Sequence, residues 1–347
     1  MLRMRARSLQ APQIRYFKLN HCPRFAEAAA VSGLLVFSSS RPQIGQGVKL
    51  AGPSTGQEQS ADCLCPLPPR NKGRKRRAMN ALSQIPTRLE RSAGQAQAGF
   101  ALRDGRVRLV DLAQRGSAKA IVLDGCETVF LNTSGGLTGG DVLDYRLRAG
   151  TGVKMTATTQ TAERVYRASD GVAQISVGLE VGAGGHLDWL PQETILFDRA
   201  SARRRTEITL GEGATCLMAE TVVLGRAAMG ETVTTLDFHD WREIRRGATP
   251  LHLEALRLND ARLRPSAAGL SDARALATVV LVAPDAADAL APVRAALTHA
   301  DVRAAASSLP GRLVIRLLAR DGWPLRRQLA EILTCLRRAP LPRVWQI

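Results

Sequence analysis

Ile175-Ser-Val-Gly-Leu-Glu-Val-Gly-Ala-Gly-Gly-His-Leu-Asp-Trp-Leu190 reads as a strand, a glycine turn and a second strand. The first run is Ile175 to Val181, the turn is Gly182-Ala-Gly184, and the second run is His186 to Leu190. The unit recurs on both sides. Gly150-Thr-Gly152 separates Tyr145-Arg-Leu147 from Val153 to Thr159, and Gly211-Glu-Gly213 separates Ile208-Thr-Leu210 from Thr215 to Val223. The turns lie 32 and 29 residues apart. Glycine is expected where a chain reverses through positive φ. A regular strand–turn–strand period predicts stacked layers of strands wound helically, β-helix-like. An antiparallel sandwich with similar turns satisfies the same pattern. Both architectures are mainly β, and the choice stays open at this point.

Further strands extend the pattern. Arg106 to Leu112 alternates after the hairpin-type turn Asp104-Gly105. In Asp141 to Leu147, Val142, Asp144 and Arg146 fall on one face and Leu143, Tyr145 and Leu147 on the other. Two C-terminal α-helices are expected. The first runs from Pro284-Asp285 to His299, with Ala286, Leu290, Val293 and Leu297 near helical spacing. The second opens at Trp323-Pro324, with Leu325, Leu329, Ile332, Leu333 and Leu336 on one side, and ends at Pro340. Between them Arg312 to Leu318 reads as a buried strand, giving an α+β finish to a β body.

The 347 residues carry a formal charge of +17, unevenly distributed. Residues 1–78 hold 14 Lys and Arg against 3 Asp and Glu, and the remainder holds 34 against 28. Only Lys119 and Lys154 are lysines beyond that point. The basic excess therefore says little about the body, whose modest arginine surplus suits an acidic protein partner as well as a phosphate backbone. Residues 1–78 show no sustained periodicity and end in Arg74-Lys75-Arg76-Arg77 before Met79. A disordered basic extension, a targeting sequence and upstream sequence read as protein all fit. Translation from Met79 is the favoured reading, leaving 79–347 as a single domain. No apolar stretch is long enough to span a bilayer. The six cysteines, Cys22, Cys63, Cys65, Cys126, Cys216 and Cys335, form no disulfide-like framework, which points to a reducing, cytoplasmic setting.

Catalytic motifs are missing. Neither Lys119 nor Lys154 stands in a phosphate-binding loop, there is no Gly-x-Ser-x-Gly elbow, and the five histidines are scattered. Gly135-Gly136-Leu137-Thr138-Gly139-Gly140 lacks dinucleotide spacing and precedes a strand, so it reads as a tight backbone loop. The body does place acids in apolar surroundings. Glu220 lies in Leu217 to Val223, Glu193 lies in Trp189 to Phe197, and His252 and Glu254 share a strand face. Such carboxylates either pair with arginines, for which Arg164, Arg167, Arg226 and Arg257 are candidates, or line a polar route for a divalent cation. A carboxylate hydrolase built on a β-solenoid is a rival reading, as is a basic nucleic-acid-binding module. Four tryptophans, three tyrosines and seven phenylalanines are few for a sugar site.

Five stretches are more specific. Leu131-Asn-Thr-Ser-Gly-Gly-Leu-Thr-Gly-Gly-Asp141 resembles the hallmark loop of the UreD (UreH) urease accessory proteins. Thr158 to Arg167, Trp189 to Phe197, Leu224 to Glu231 and Leu341-Pro-Arg-Val-Trp345 are similar to later blocks of that family, in the same order. The resemblance covers about residues 86 to 347. It implies a helically wound β fold with two C-terminal helices and a non-catalytic role in urease maturation. It implies apo-urease and UreF as partners, the GTPase UreG reached through UreF, and neither nucleic acid nor membrane as a partner. It further implies nickel in transit rather than a tightly bound cofactor. Carried over by the resemblance, Asp141, Glu163, Glu220 and Glu254 would line the nickel passage. Glu193 joins them from the reading of the residues alone.

Overall fold

The computed structural model describes residues 90–346 apart from 124–125, 267–268 and 338. The expectations for residues 1–78, including Cys22, Cys63 and Cys65, lie outside the described residues.

Two sheets carry the fold. In the first, the order is β14 (Thr249–Asn259), β13 (Leu236–Arg246), β11 (Ala200–Leu210), β8 (Ala173–Val181), β5 (Val142–Ala149), β1 (Ala93–Arg103) and β2 (Arg106–Gly116). In the second it is β16 (Val302–Leu309), β17 (Arg312–Ala319), β15 (Ala275–Val282), β12 (Thr215–Leu224), β9 (His186–Leu190), β6 (Lys154–Gln160), β4 (Glu127–Asn132) and β3 (Ala118–Leu123). Two short strands, β7 (Glu163–Val165) and β10 (Thr194–Leu196), pair with each other, and β10 also joins β12.

The middle of the molecule is wound, and its two flanks are antiparallel. From β5 the chain turns into β6 of the other sheet, returns to β8, crosses to β9, returns to β11 and crosses to β12. Successive turns of this winding pair in parallel: Val142 with Gln174 and Lys154 with His186, then Ala173 with Ala202 and His186 with Thr215. These offsets are the 32 and 29 residues of the glycine spacing. The glycines are needed for two reasons. Gly184 has φ +64°, and a Cβ on Gly182 would stand 2.4 Å from the Thr151 backbone nitrogen of the preceding turn. Stacked turns thus leave room for hydrogen only. The flanks are closed by hairpins, β1 with β2 and β13 with β14, and by the antiparallel run β12–β15–β17–β16. Asp104 and Gly105 both have positive φ at the tip of the first hairpin, as their sequence predicts.

Strand alternation builds the core. Leu143, Tyr145 and Leu147 of β5, Ile175, Val177 and Leu179 of β8 and Leu187 and Trp189 of β9 pack between the sheets. The opposite face of the second sheet packs Leu217, Ala219, Val279 and Ile315 against α2 (Leu290–Ala296) and α3 (Gly322–Arg337). The buried side of α3 is Leu325, Gln328, Leu329, Ile332 and Leu333, the predicted face with Gln328 added. Gln328 Oε1 accepts from Thr298 and His299 N–H at 3.0 Å each, and its amide donates to the Ala296 carbonyl, which ties α3 to the end of α2. The earlier helix is shorter than its periodicity predicts. Ala286–Ala289 forms a 3-10 turn and the α-helix is seven residues long. In β2, at the edge of its sheet, the expected two-faced alternation buries no residue.

Candidate functional site

Inward-facing positions of neighbouring strands normally hold apolar residues. In β11, β12, β13 and β14 that parity instead selects Arg204 and Thr206, Glu220, Asp240 and Arg242, and His252 and Glu254. Placing ions there costs several kcal/mol each unless every charge is matched and hydrogen-bonded. Here they are matched in series.

Glu220, only 2% exposed, accepts from Trp189 Nε1 at 2.9 Å and from Thr206 Oγ1 at 3.2 Å, and its Oε2 lies 2.8 Å from Arg204 Nη1. Arg204 also donates to Thr194 Oγ1 at 2.9 Å and grips Asp240 with two bonds, Nε to Oδ1 at 2.9 Å and Nη2 to Oδ2 at 2.5 Å. Arg242 donates to Asp240 Oδ2 from Nε at 2.9 Å and reaches Glu254 Oε2 with Nη1 at 3.4 Å. Glu254 Oε1 accepts from Thr278 Oγ1 and from the exposed Arg316, each at 3.3 Å. His252 Nε2 is buried 3.8 Å from Glu254 Oε2, without a hydrogen-bond partner among the described residues. A line of alternating charge therefore runs from the surface at Arg316 to the interior at Trp189.

The electrostatics follow from that order. Burial alone would raise Asp240, but Arg204 and Arg242 outweigh it and hold the carboxyl well below its ordinary range. Burial likewise opposes ionisation of Glu254, and His252, Arg242 and Arg316 together bring it down to about 2. Arg204 is held firmly protonated, since Asp240 and Glu220 outweigh the cost of its burial. The three acids exceed the two buried guanidiniums by one, so the line is net negative inside.

At its inner end lies a cavity of about 40 Å³ between the sheets, lined by Glu163 and Glu220 together with Tyr145, Trp189, Thr194 and Arg204. That is room for a few waters or an ion. Among the described residues Glu163 has no arginine in hydrogen-bond contact. Burial pushes its carboxyl up to about 7, against the Asn132 amide, which donates to it at 3.1 Å, and the charge of Arg164.

The five expected positions are thus distributed unequally. Glu163 and Glu220 share the cavity, and Glu254 is joined to them through Arg242, Asp240 and Arg204. Asp141 is elsewhere. Its carboxylate accepts from the backbone N–H groups of Ser92 and Thr138 at 2.7 Å each, closing the glycine-rich loop onto the first strand. Glu193 meets Arg326 Nη1 at 3.1 Å in a surface pocket of about 530 Å³ beside Trp323 and Trp345. The arginines that neutralise these acids are Arg204, Arg242, Arg316 and Arg326, none of them among the sequence-based candidates. Asp240 and Arg204 were also missed. The parity of Ala200, Ala202, Arg204, Thr206 and Ile208 in β11 is the signal that singles out Arg204.

Among the described residues no group of three or more His, Cys, Asp or Glu is placed to hold a metal together. The cavity shared by Glu163 and Glu220 is far smaller than the ~300–1,000 Å³ of small-molecule sites. The surface pocket at Glu193 contributes a single carboxylate. No helix among the described residues is long and apolar enough to cross a membrane.

The family model for the UreD urease accessory protein matches residues 92–346. Urease accessory protein UreD of Cereibacter sphaeroides (strain ATCC 17025 / ATH 2.4.3) is 60% identical over 274 residues, 77% of this chain and 100% of that protein. The protein of the same name from Paracoccus denitrificans (strain Pd 1222) is 51% identical over 268 residues, 76% of this chain and 95% of its own. That of Rhizobium leguminosarum bv. viciae is 43% identical over 268 residues, covering 75% and 97%. The chain belongs to the UreD family of urease accessory proteins.

Proposed function

We propose that this protein supports urease maturation in the cytoplasm as a scaffold and nickel conduit. It acts on apo-urease together with UreF, and through UreF with the GTPase UreG. GTP hydrolysis belongs to the partner, and this chain contributes binding surfaces and a polar interior.

The observation that carries the reading is the buried line from Glu254 through Arg242, Asp240 and Arg204 to Glu220, which ends at the cavity shared with Glu163. An apolar sandwich would be cheaper to fold. A net-negative interior favours a cation, and oxygen ligands hold a borderline divalent ion loosely. Loose holding is what passage requires, since an ion must enter and also leave. His252, with its buried Nε2 beside Glu254, offers an imidazole ligand near the outer end. Glu163 titrates near neutrality, so it can lose a proton to an arriving cation at little cost.

The test is urease activation in cells lacking their own UreD protein, complemented with a version beginning at Met79. The reading expects active, nickel-loaded urease and co-purification with UreF and UreG. A well-folded protein that restores no activity beside its cognate partners, either from Met79 or as the full chain, would refute it.

A further inference from the structure

At the end of the sandwich away from the stacked glycine turns, a second concavity of about 580 Å³ lies outside the buried line. Its floor is aromatic. Tyr166 meets Phe197 edge-on, with ring centroids 4.8 Å apart, and the Arg226 guanidinium lies over the Phe197 ring at 4.4 Å. Two acids border it, and both are committed to local backbone. Asp198 Oδ1 accepts from Thr234 and Thr235 N–H at 2.7 and 3.0 Å. Glu231 accepts from the backbone N–H of Asp198 and of Arg226, and pairs with Arg226 Nε at 2.8 Å. Three guanidiniums face these two carboxylates, so one positive charge is in surplus. Arg199 is exposed, with its Nε 3.6 Å from Asp198. The Arg167 guanidinium has no hydrogen-bond or ion-pair partner among the described residues. Beside them the turn Ala227–Met229 projects into solvent with Met229 72% exposed.

We infer that this concavity is a docking site for an acidic polypeptide segment of a partner protein. A surplus positive charge, an aromatic floor and a projecting methionine are the composition of a protein–protein contact. Arg167 and Arg199 pair carboxylates of the segment as bidentate forks. An apolar residue between those carboxylates rests on the Tyr166–Phe197 floor, and Met229 covers it from the side. Nucleic acid fits poorly. Arg226 covers one face of Phe197 and Tyr166 meets its ring edge-on, which leaves little ring face for a base to stack on. The inference does not depend on nickel passing through the interior.

The test uses the full chain and a fluorescein-labelled hexapeptide of alternating glutamate and leucine, followed by anisotropy at low salt. Controls are the glutamine–leucine hexapeptide, hexathymidylate and competing inorganic phosphate. The acidic peptide is expected to bind in preference to both other probes. Binding should weaken about tenfold, the effect of ~1.4 kcal/mol, in Arg167→Glu/Arg199→Glu and by a smaller factor in Arg167→Gln, whose side chain supports no other contact. Arg108→Glu, on the exposed edge strand β2, should bind as wild type. Equal binding by the wild type and Arg167→Gln, preference for hexathymidylate, or full displacement by millimolar phosphate would each overturn the inference.

Discussion

Glu163 and Glu220 face one small cavity from opposite electrical situations. Glu220 is locked to Arg204, Trp189 and Thr206, while Glu163 has only the Asn132 amide and a carboxyl raised to about 7. One is held by three side chains and the other is poised to exchange a proton near neutrality. This difference decides which experiments distinguish the structural role of the interior from its role as a route.

The Glu163 carboxyl makes stability depend on pH in a predictable direction. Its folded value of about 7 lies above the ordinary 4.5, so between these limits the folded state keeps a proton that the unfolded chain gives up. Its contribution is fully present below 4.5 and is lost as pH rises through 7. Glu163→Gln removes that dependence. Urea midpoints at pH 5 and pH 8 should converge for the variant by an amount on the order of 1–3 kcal/mol relative to wild type.

Asp240 and Glu254 act in the opposite direction. Both are held below their ordinary values by arginines, so their contribution is present above pH 4.5 and lost as pH falls toward 2. An acid titration of tertiary structure, followed by near-UV circular dichroism, should show its main transition in that window. Asp240→Asn should shift the transition to higher pH.

Breaking the line at its centre costs far more than trimming its end. Arg204→Met leaves the buried Glu220 without a guanidinium and Asp240 with Arg242 alone, a loss of about 3–5 kcal/mol. Arg316→Ala removes an exposed partner of Glu254 and costs under about 1 kcal/mol. Thermal and urea unfolding of the two variants check the ratio.

Much of the winding was legible because its cause is local. The paired glycines set the turns, and their spacing equals the register of β5 on β8 and of β8 on β11. The Arg204–Asp240 pair was not legible, because it depends on how far β13 is displaced along the chain from β11. That offset is 36 residues, set by the length of the Arg226–Thr235 segment rather than by a turn motif. The wrong arginines were assigned to the buried acids for the same reason. Charges that meet across neighbouring strands are fixed by register, and register across an irregular loop leaves no periodic signature. Asp141, carried over by the resemblance, lies apart from that cavity, where its carboxylate accepts from the Ser92 and Thr138 N–H groups and organises the glycine-rich loop.

The glycine-rich loop is a close backbone approach, and a methyl group tests it. Leu137 N–H donates to the Arg164 carbonyl at 2.7 Å, and Gly136 sits at φ +146°. A Cβ there would stand 2.7 Å from the Arg164 carbonyl oxygen and 2.5 Å from the Tyr166 ring. Gly136→Ala should destabilise by roughly 1–3 kcal/mol, read as a lowered urea midpoint.

The most direct test of the central claim is the nickel content of urease matured with Glu163→Gln or Glu220→Gln in place of the wild-type protein. Both variants retain hydrogen-bonding side chains of nearly the same size, and co-purification with apo-urease and a cooperative thermal transition establish that each is folded and bound. The account predicts severalfold less nickel per urease active site with either variant. Full nickel loading by both, in complexes as stable as wild type, would contradict it and leave the buried line as a structural device alone.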